Sequence, residues 1–403
     1  MGSVGAVGHT RLAPARANRA MVLRLLRRHR RLARAEIARR SGLSEASVSR
    51  IIGELVEGRL VSEEGPARST GGRPAVRLQL DDTHLRSIGV DIHNWETRVS
   101  VGTLRGRLVE TTHFRTPAEP RQVLEAIAQR VRAIRTRIGS CELEGVGVCV
   151  RGLVNSRDGL VERGNDPAWS KIPVREYLQA RLKLPVFVEN NVRAAAFAEH
   201  HYGSPDVEDA HCLLLVKVDE GIGISMIVDG ELYYGQHMAA GEFGQMVIAD
   251  VDGDARHDRP GCLEQLASDA ATCDRYRLLN GNRKCPPAGD VTAGVRRICH
   301  LALAGDAPAA RTLRESARYL GIGISNVVWG LDPDAVILDG AITEAWSLVA
   351  PVITDQFADG REFLNFRNLI LRPSTLRGQA AILGAAALPF QSLFQSAERA
   401  RIG

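Results

Sequence analysis

A run of polar residues, Glu189-Asn190-Asn191, breaks the apolar and alanine-rich stretch PVFVENNVRAAAFAE that runs from Pro185 to Glu199. Val186, Phe187 and Val188 have the composition of a short buried strand, and Val192 to Glu199 that of a helix. Polar side chains placed where a strand ends and a helix begins are well positioned to hold a ligand, because open α/β sheets bind at the carboxyl ends of their strands. A carboxylate there could act as a general base on a hydroxyl, whereas a neutral amide cannot take up the proton. Asn190 and Asn191 could equally do no more than cap the helix, a task asparagine performs well. The residues alone leave both readings open.

The elements that must position this stretch fall into two parts. Residues 1–17 read as a disordered lead, and from Asn18 the pattern turns helical, with Val22, Leu25 and Leu26 on one stripe among arginines. A second short helix spans Arg34 to Arg40, and Ser41-Gly42-Leu43 makes a tight turn. Ser44 can cap a third helix whose Val48, Ile51, Ile52, Leu55 and Val56 form one buried face, ended by Gly58. The other face, with Ser44 at its start, carries Glu45, Ala46, Ser47, Ser49 and Arg50. These side chains suit close approach to base edges in the major groove. Two strands flanking Gly71-Gly72-Arg73-Pro74 read as a wing whose Arg73 can enter a narrow minor groove. A small helical protein-interaction domain is the alternative.

The body begins near Arg86 with a strand, turn, strand, turn and strand that start on a buried Asp91. Pro120 to Ile138 reads as a helix and GVGVCV from Gly145 as a buried strand. The stretch from Cys212 repeats the meander, with an acidic-glycine turn and an Asp-Gly hairpin. Two such halves imply a duplicated α/β fold with a cleft between lobes.

Composition agrees with this division. The 403 residues suffice for two or three domains, and 44% hydrophobic with 25% charged residues is ordinary for a globular protein. The first 80 residues hold 16 Arg and no Lys against 6 Glu and no Asp, a balance of +10, while the rest carries −5. A basic arm on an acidic body suggests nucleic acid as partner. No apolar run approaches a membrane span, and the N-terminus lacks the apolar core of a secretory signal. Seven scattered cysteines without a CxxC pair point to reduced thiols in the cytoplasm.

Residues 18–390 resemble the repressor branch of the ROK family (repressors, open reading frames and sugar kinases). The resemblance is carried by the GGRP wing, IGVDI at 88–92, ENNVRAAAFAE, HMAAGEFGQM from His237, GCLEQLAS from Gly261, and LGIGISNVVWGLDPDAVILDG from Leu320. It implies a winged helix-turn-helix over 18–80 and a two-lobed α/β domain of the actin and sugar-kinase superfamily. The first lobe would span 86–195, completed by a C-terminal helix at 380–400. The second, over 196–379, would hold the sugar pocket and the dimer contacts.

Three departures from the family pattern bear on function. Asn191 stands where family kinases carry the Asp that acts as general base. Their phosphate turn, Asp-(small)-Gly-Gly-Thr, is here Asp91 followed by Ile92, His93, Asn94 and Trp95, bulky groups expected to fill the nucleotide seat. Gly221 and Gly223 in the second hairpin remain permissive. The family's zinc ligands map onto Gln245, Ala255, His257 and Cys262, two plausible ligands of four, so no structural zinc and no cofactor is expected.

What the resemblance retains is a set of sugar-binding positions, Asn190, Asn191, Glu242, Gln245 and Glu264, with Asn165 and Trp169 of the loop GNDPAWSKI added to them. A polar network that only stabilises the hinge is the alternative for these groups. The chain is therefore expected to be a sugar-responsive regulator, a repressor of carbohydrate uptake or catabolism genes and not an enzyme. It would bind double-stranded operator DNA as a homodimer or tetramer and respond to a sugar or sugar phosphate in the cleft. A sugar kinase with an appended DNA-binding domain, using Glu189 or Asp166 as base, is the alternative, and a body that only dimerises is the third reading.

Overall fold

The computed structural model describes residues 9–64, 76–207, 209–250, 259–281, 290–357 and 368–395, with side chains from residue 14 onward. The chain divides into two compact units, Met1–Glu189 with Ile382–Gly403, and Asn190–Ala381. The division falls ahead of residue 195, where the first lobe was expected to end.

The first unit opens with the helical head: α1 (His9–His29), β1 (Leu32–Ala33), α2 (Arg34–Ser41), α3 (Glu45–Glu57), β2 (Val61–Glu64) and β3 (Arg77–Leu80). Helix α1 begins inside the stretch read as a disordered lead, where alanine, leucine and arginine are strong helix formers. Gly42 adopts the left-handed conformation (φ 69°) that ends α2, and the Ser44 side chain accepts from Ser47 N to open α3. Val48, Ile51, Ile52 and Leu55 are buried as expected, but Val56 is exposed. At 3.6 residues per turn Leu55 returns close to the azimuth of Val48, whereas Val56 lies about 80° away from it. Strands β2 and β3 pair antiparallel from Val61↔Leu80 to Glu64↔Arg77, as a wing requires. The wing tip with Arg73 lies outside the described residues.

The body of the first unit follows with β4 (Leu85–Ile92), β5 (Glu96–Thr103), β6 (Leu108–Arg115), α4 (Pro120–Arg137), β7 (Glu142–Val150), β8 (Leu153–Asn155), β9 (Leu160–Arg163), α5 (Val174–Leu182) and β10 (Val186–Asn190). Its main sheet has the order β10-β7-β4-β5-β6, antiparallel across β4, β5 and β6 and parallel between β4 and β7.

The second unit holds α6 (Asn191–Tyr202), β11 (Cys212–Val218), β12 (Ile222–Val228), β13 (Glu231–Leu232), α7 (Leu263–Ala267), α8 (Asp269–Leu279), α9 (Val291–Leu303), α10 (Ala307–Leu331), β14 (Ala335–Asp339), α11 (Trp346–Asp355) and β15 (Ile370–Pro373). Its sheet order, β13-β12-β11-β14-β15, repeats that of the first: an antiparallel meander with two strands added in parallel beside the first strand. The duplication read from the two meanders is thus present in the strand order. Among the described residues no helix is long and apolar enough to cross a membrane.

The chain ends in the first unit with α12 (Ala380–Ala387) and α13 (Gln391–Phe394). Helix α12 lies so close to the sheet that a Cβ on Gly147 would sit 1.9 Å from Ala385 O. Beyond it, Phe390 and Phe394 enter the same core as Leu23, Leu26, Ile37 and Ile52 of the head. Arg24 Nη1 donates to Phe394 O at 2.6 Å, and the Arg27 guanidinium lies 4.4 Å from the Phe394 ring centroid.

Candidate functional site: a polar wall in the second unit

Asn190 caps α6, its Oδ1 accepting from Val192 N at 2.8 Å and Arg193 N at 3.1 Å. The capping alternative therefore describes the Asn190 carbonyl oxygen. Asn191 is the first residue of the helix and is buried. Glu189 belongs to the first unit and accepts from Ser156 Oγ at 2.8 Å. Arg193, one turn into α6, gives Nη1 to Met238 O at 2.8 Å, with its guanidinium 5.2 Å from the Tyr234 ring centroid.

The turn from β11 to β12 lies against the same wall. A Cβ on Gly223 would meet Val192 Cγ2 at 2.6 Å, and one on Gly221 would meet Glu264 Oε2 at 2.5 Å. Each glycine admits the close approach of a neighbouring side chain. Glu264 Oε2 accepts from Ile222 N at 2.9 Å, and Gln245 Nε2 donates to Glu264 Oε1 at 3.3 Å. Glu242 starts the 3-10 turn Glu242–Gln245, preceded by Gly241 at φ 101°. Gln245, Glu264 and the turn at 219–223 are thus joined by hydrogen bonds, with Glu242 three residues before Gln245 and Val192, next to Asn191, packed on Gly223. The pair on Glu264 leaves part of the carboxylate's capacity, about four lone-pair sites, for further hydroxyls.

Asn165 is an exposed residue of the first unit, while Trp169 is buried in that unit's core beside Val161 and Val174. Trp169 is therefore a packing residue. An indole buries more apolar area than most side chains, and in this short loop that area is taken up by the core.

At the first phosphate turn, His93, one of the bulky groups expected there, pairs with Asp91, and Arg98 joins it. Asp91 is fully buried, with Arg98 Nη2 2.5 Å and His93 Nε2 2.9 Å from its Oδ2, and Cys149 Sγ 3.2 Å from Oδ1. Burial by itself would push this carboxyl up, but the charges and hydrogen bonds of His93 and Arg98 outweigh it and hold the group far below the usual carboxylate range. Trp95, expected to fill this seat, is exposed. Arg98 went unnoticed because its register with Asp91 is visible only once β4 and β5 pair.

A family zinc site would need soft ligands around position 245. Gln245 instead presents an amide whose nitrogen donates to Glu264, and Cys262 is a buried residue at the start of α7. Ala255 and His257 lie outside the described residues. Among the described residues no three His, Cys, Asp or Glu side chains are grouped to hold a metal ion.

On the head, Ser44, Ala46, Ser49 and Arg50 are exposed along one side of α3, and Ser47 is half-buried with its Oγ 2.9 Å from Ser44 Oγ. Arg50 Nη1 lies 2.5 Å from Glu54 Oε1, an exposed pair that water and salt weaken and that a phosphate or base can replace.

The ROK family profile matches residues 87–392, and the IclR helix-turn-helix domain profile matches residues 17–65. The chain belongs to the ROK family. It is 30% identical over 346 residues to the DNA-binding transcriptional dual regulator NagC of Escherichia coli K12, covering 83% of each chain. It is 26% identical to a xylose repressor of Bacillus spizizenii, over 92% of this chain and 94% of the repressor. A crystal structure of a ROK family transcriptional regulator, a homologue of the E. coli MLC protein, shares the fold over 95% of this chain and 97% of its own, with a TM-score of 0.77 and 24% identity. A ROK glucokinase from Streptomyces griseus, solved with glucose and AMPPNP, matches at 26% identity and a TM-score of 0.64, covering 76% of this chain and 99% of the kinase. The regulators share the head as well as the body, and this ROK protein is a DNA-binding regulator by that full-length likeness.

Proposed function

We propose that this ROK protein represses genes of carbohydrate uptake or catabolism and that a sugar held by Asn191, Glu242, Gln245 and Glu264 changes its affinity for operator DNA. The observation that carries the reading is the pairing of an exposed α3 face with a kinase-fold body whose reacting positions are closed. An amide stands at position 191, Glu264 fills the β11–β12 turn, and Arg98 holds Asp91. Carboxylate and amide groups remain to bind hydroxyls, and the amide at position 191 cannot take a proton from one. Relatives named for N-acetylglucosamine and for xylose support a sugar as the effector class.

In this reading two chains pair as a homodimer and set their α3 helices in successive major grooves of a palindromic operator, with Ser47, Ser49 and Arg50 toward bases and Arg73 toward the minor groove. The bound sugar favours one arrangement of the two heads, and this difference in affinity sets DNA occupancy. The scheme uses no metal and no cofactor. The test is alanine at Glu242 and at Glu264. Each variant should bind operator as the wild type does and lose its response to sugar; a retained response would contradict the assignment.

A further inference from the structure

Resting on that sensor reading, we infer that the effector is an uncharged carbohydrate and that the β11–β12 turn discriminates against its phosphate esters. Glycine-rich turns hold phosphate by pointing free backbone amides at it. Here two of the turn's amides serve the protein's own carboxylates. Glu220 N donates to Asp219 Oδ1 and Ile222 N to Glu264 Oε2, both at 2.9 Å. The space above Gly221 is taken by the Glu264 carboxylate, an internal anion where a phosphate would lie. Below the turn, Thr292 Oγ1 reaches both Asp219 Oδ1 at 3.1 Å and Asp269 Oδ2 at 2.8 Å, and Asp269 N donates to Asp219 O. The turn is thereby fixed in this form from beneath. Asn191 adjoins Val192, whose side chain packs on Gly223, so the start of α6 lies beside this acidic segment. The nearby cation of α6, Arg193, directs Nη1 to the Met238 carbonyl. A doubly charged phosphomonoester here meets carboxylates whose amide partners are already used, whereas a neutral polyol meets acceptors for its hydroxyls.

The experiment is calorimetric titration of the full chain with matched pairs: glucose and glucose 6-phosphate, N-acetylglucosamine and its 6-phosphate, mannose and mannose 6-phosphate. For the pair that binds, the parent sugar should bind at least about tenfold tighter than its ester. An ester that binds as tightly as its parent or tighter overturns the inference while leaving the sensor reading in place. If no member of any pair binds, the sensor reading itself fails and this inference falls with it.

Discussion

At the scale of single residues, the difference between a sensor and a kinase rests on more than the amide at 191. Asp91 is neutralised by Arg98 and His93, and the second turn is filled by Glu264 and Val192. Asn191→Asp should therefore produce no sugar-dependent ATP consumption above background in a coupled assay; turnover in that variant would mean the nucleotide seat is open. Glu199 gives a second prediction. Burial pushes its carboxyl up to about 7, with Asp339 adding to the shift and bonds from Ser374 Oγ and the Leu376 amide and the charge of Arg372 opposing it. A folded-state pKa above the unfolded value means that the native state binds the extra proton, so its stabilisation is complete below the ordinary carboxylate range and is lost as pH rises through about 7. The loss is on the order of 3 kcal/mol at most. Glu199→Gln should abolish the part of the Tm decline between pH 5 and 8 that this group causes; identical pH profiles for variant and wild type would refute the assignment.

At the scale of elements, the end of the chain is part of the DNA-reading head. Phe390 and Phe394 are buried among residues of α1, α2 and α3, and α12 is pressed onto the first unit's sheet at Gly147. Phe394→Ala should cost about 3 kcal/mol, typical of a buried aromatic truncation, and should appear in urea denaturation as a lower midpoint together with weaker operator binding. Unaltered operator affinity would show that the head folds without this support. No sequence pattern announced this contact, because residues 24 and 394 are brought together only by the tertiary fold. Local signals read well where the chemistry is local. The Ser44 cap, the Gly42 turn, the buried stripe of α3 and the repeated meander are all in place. Reading failed where spacing or composition was trusted beyond its reach, at Val56 on the last turn of α3, at Trp169 in a core, and at His9 in a helix that begins in the supposed lead.

At the scale of the whole molecule, a strongly basic head is joined to a mildly acidic body, so the positive charge suited to DNA is concentrated in the head. Arg50→Ala should weaken operator binding by about 1–3 kcal/mol and relax selectivity at the base it contacts, measured by fluorescence anisotropy on specific and scrambled duplexes. An equal loss on both duplexes would make Arg50 a phosphate contact. The most direct test of a pocket that binds without reacting is a titration of the complex between the full-length protein and DNA from immediately upstream of its own gene, carried through a panel of unphosphorylated hexoses, pentoses and N-acetylated amino sugars. The account predicts that at least one sugar changes operator affinity by about fivefold or more, the lower end of ordinary allosteric coupling. Operator affinity that stays constant across the panel would contradict it.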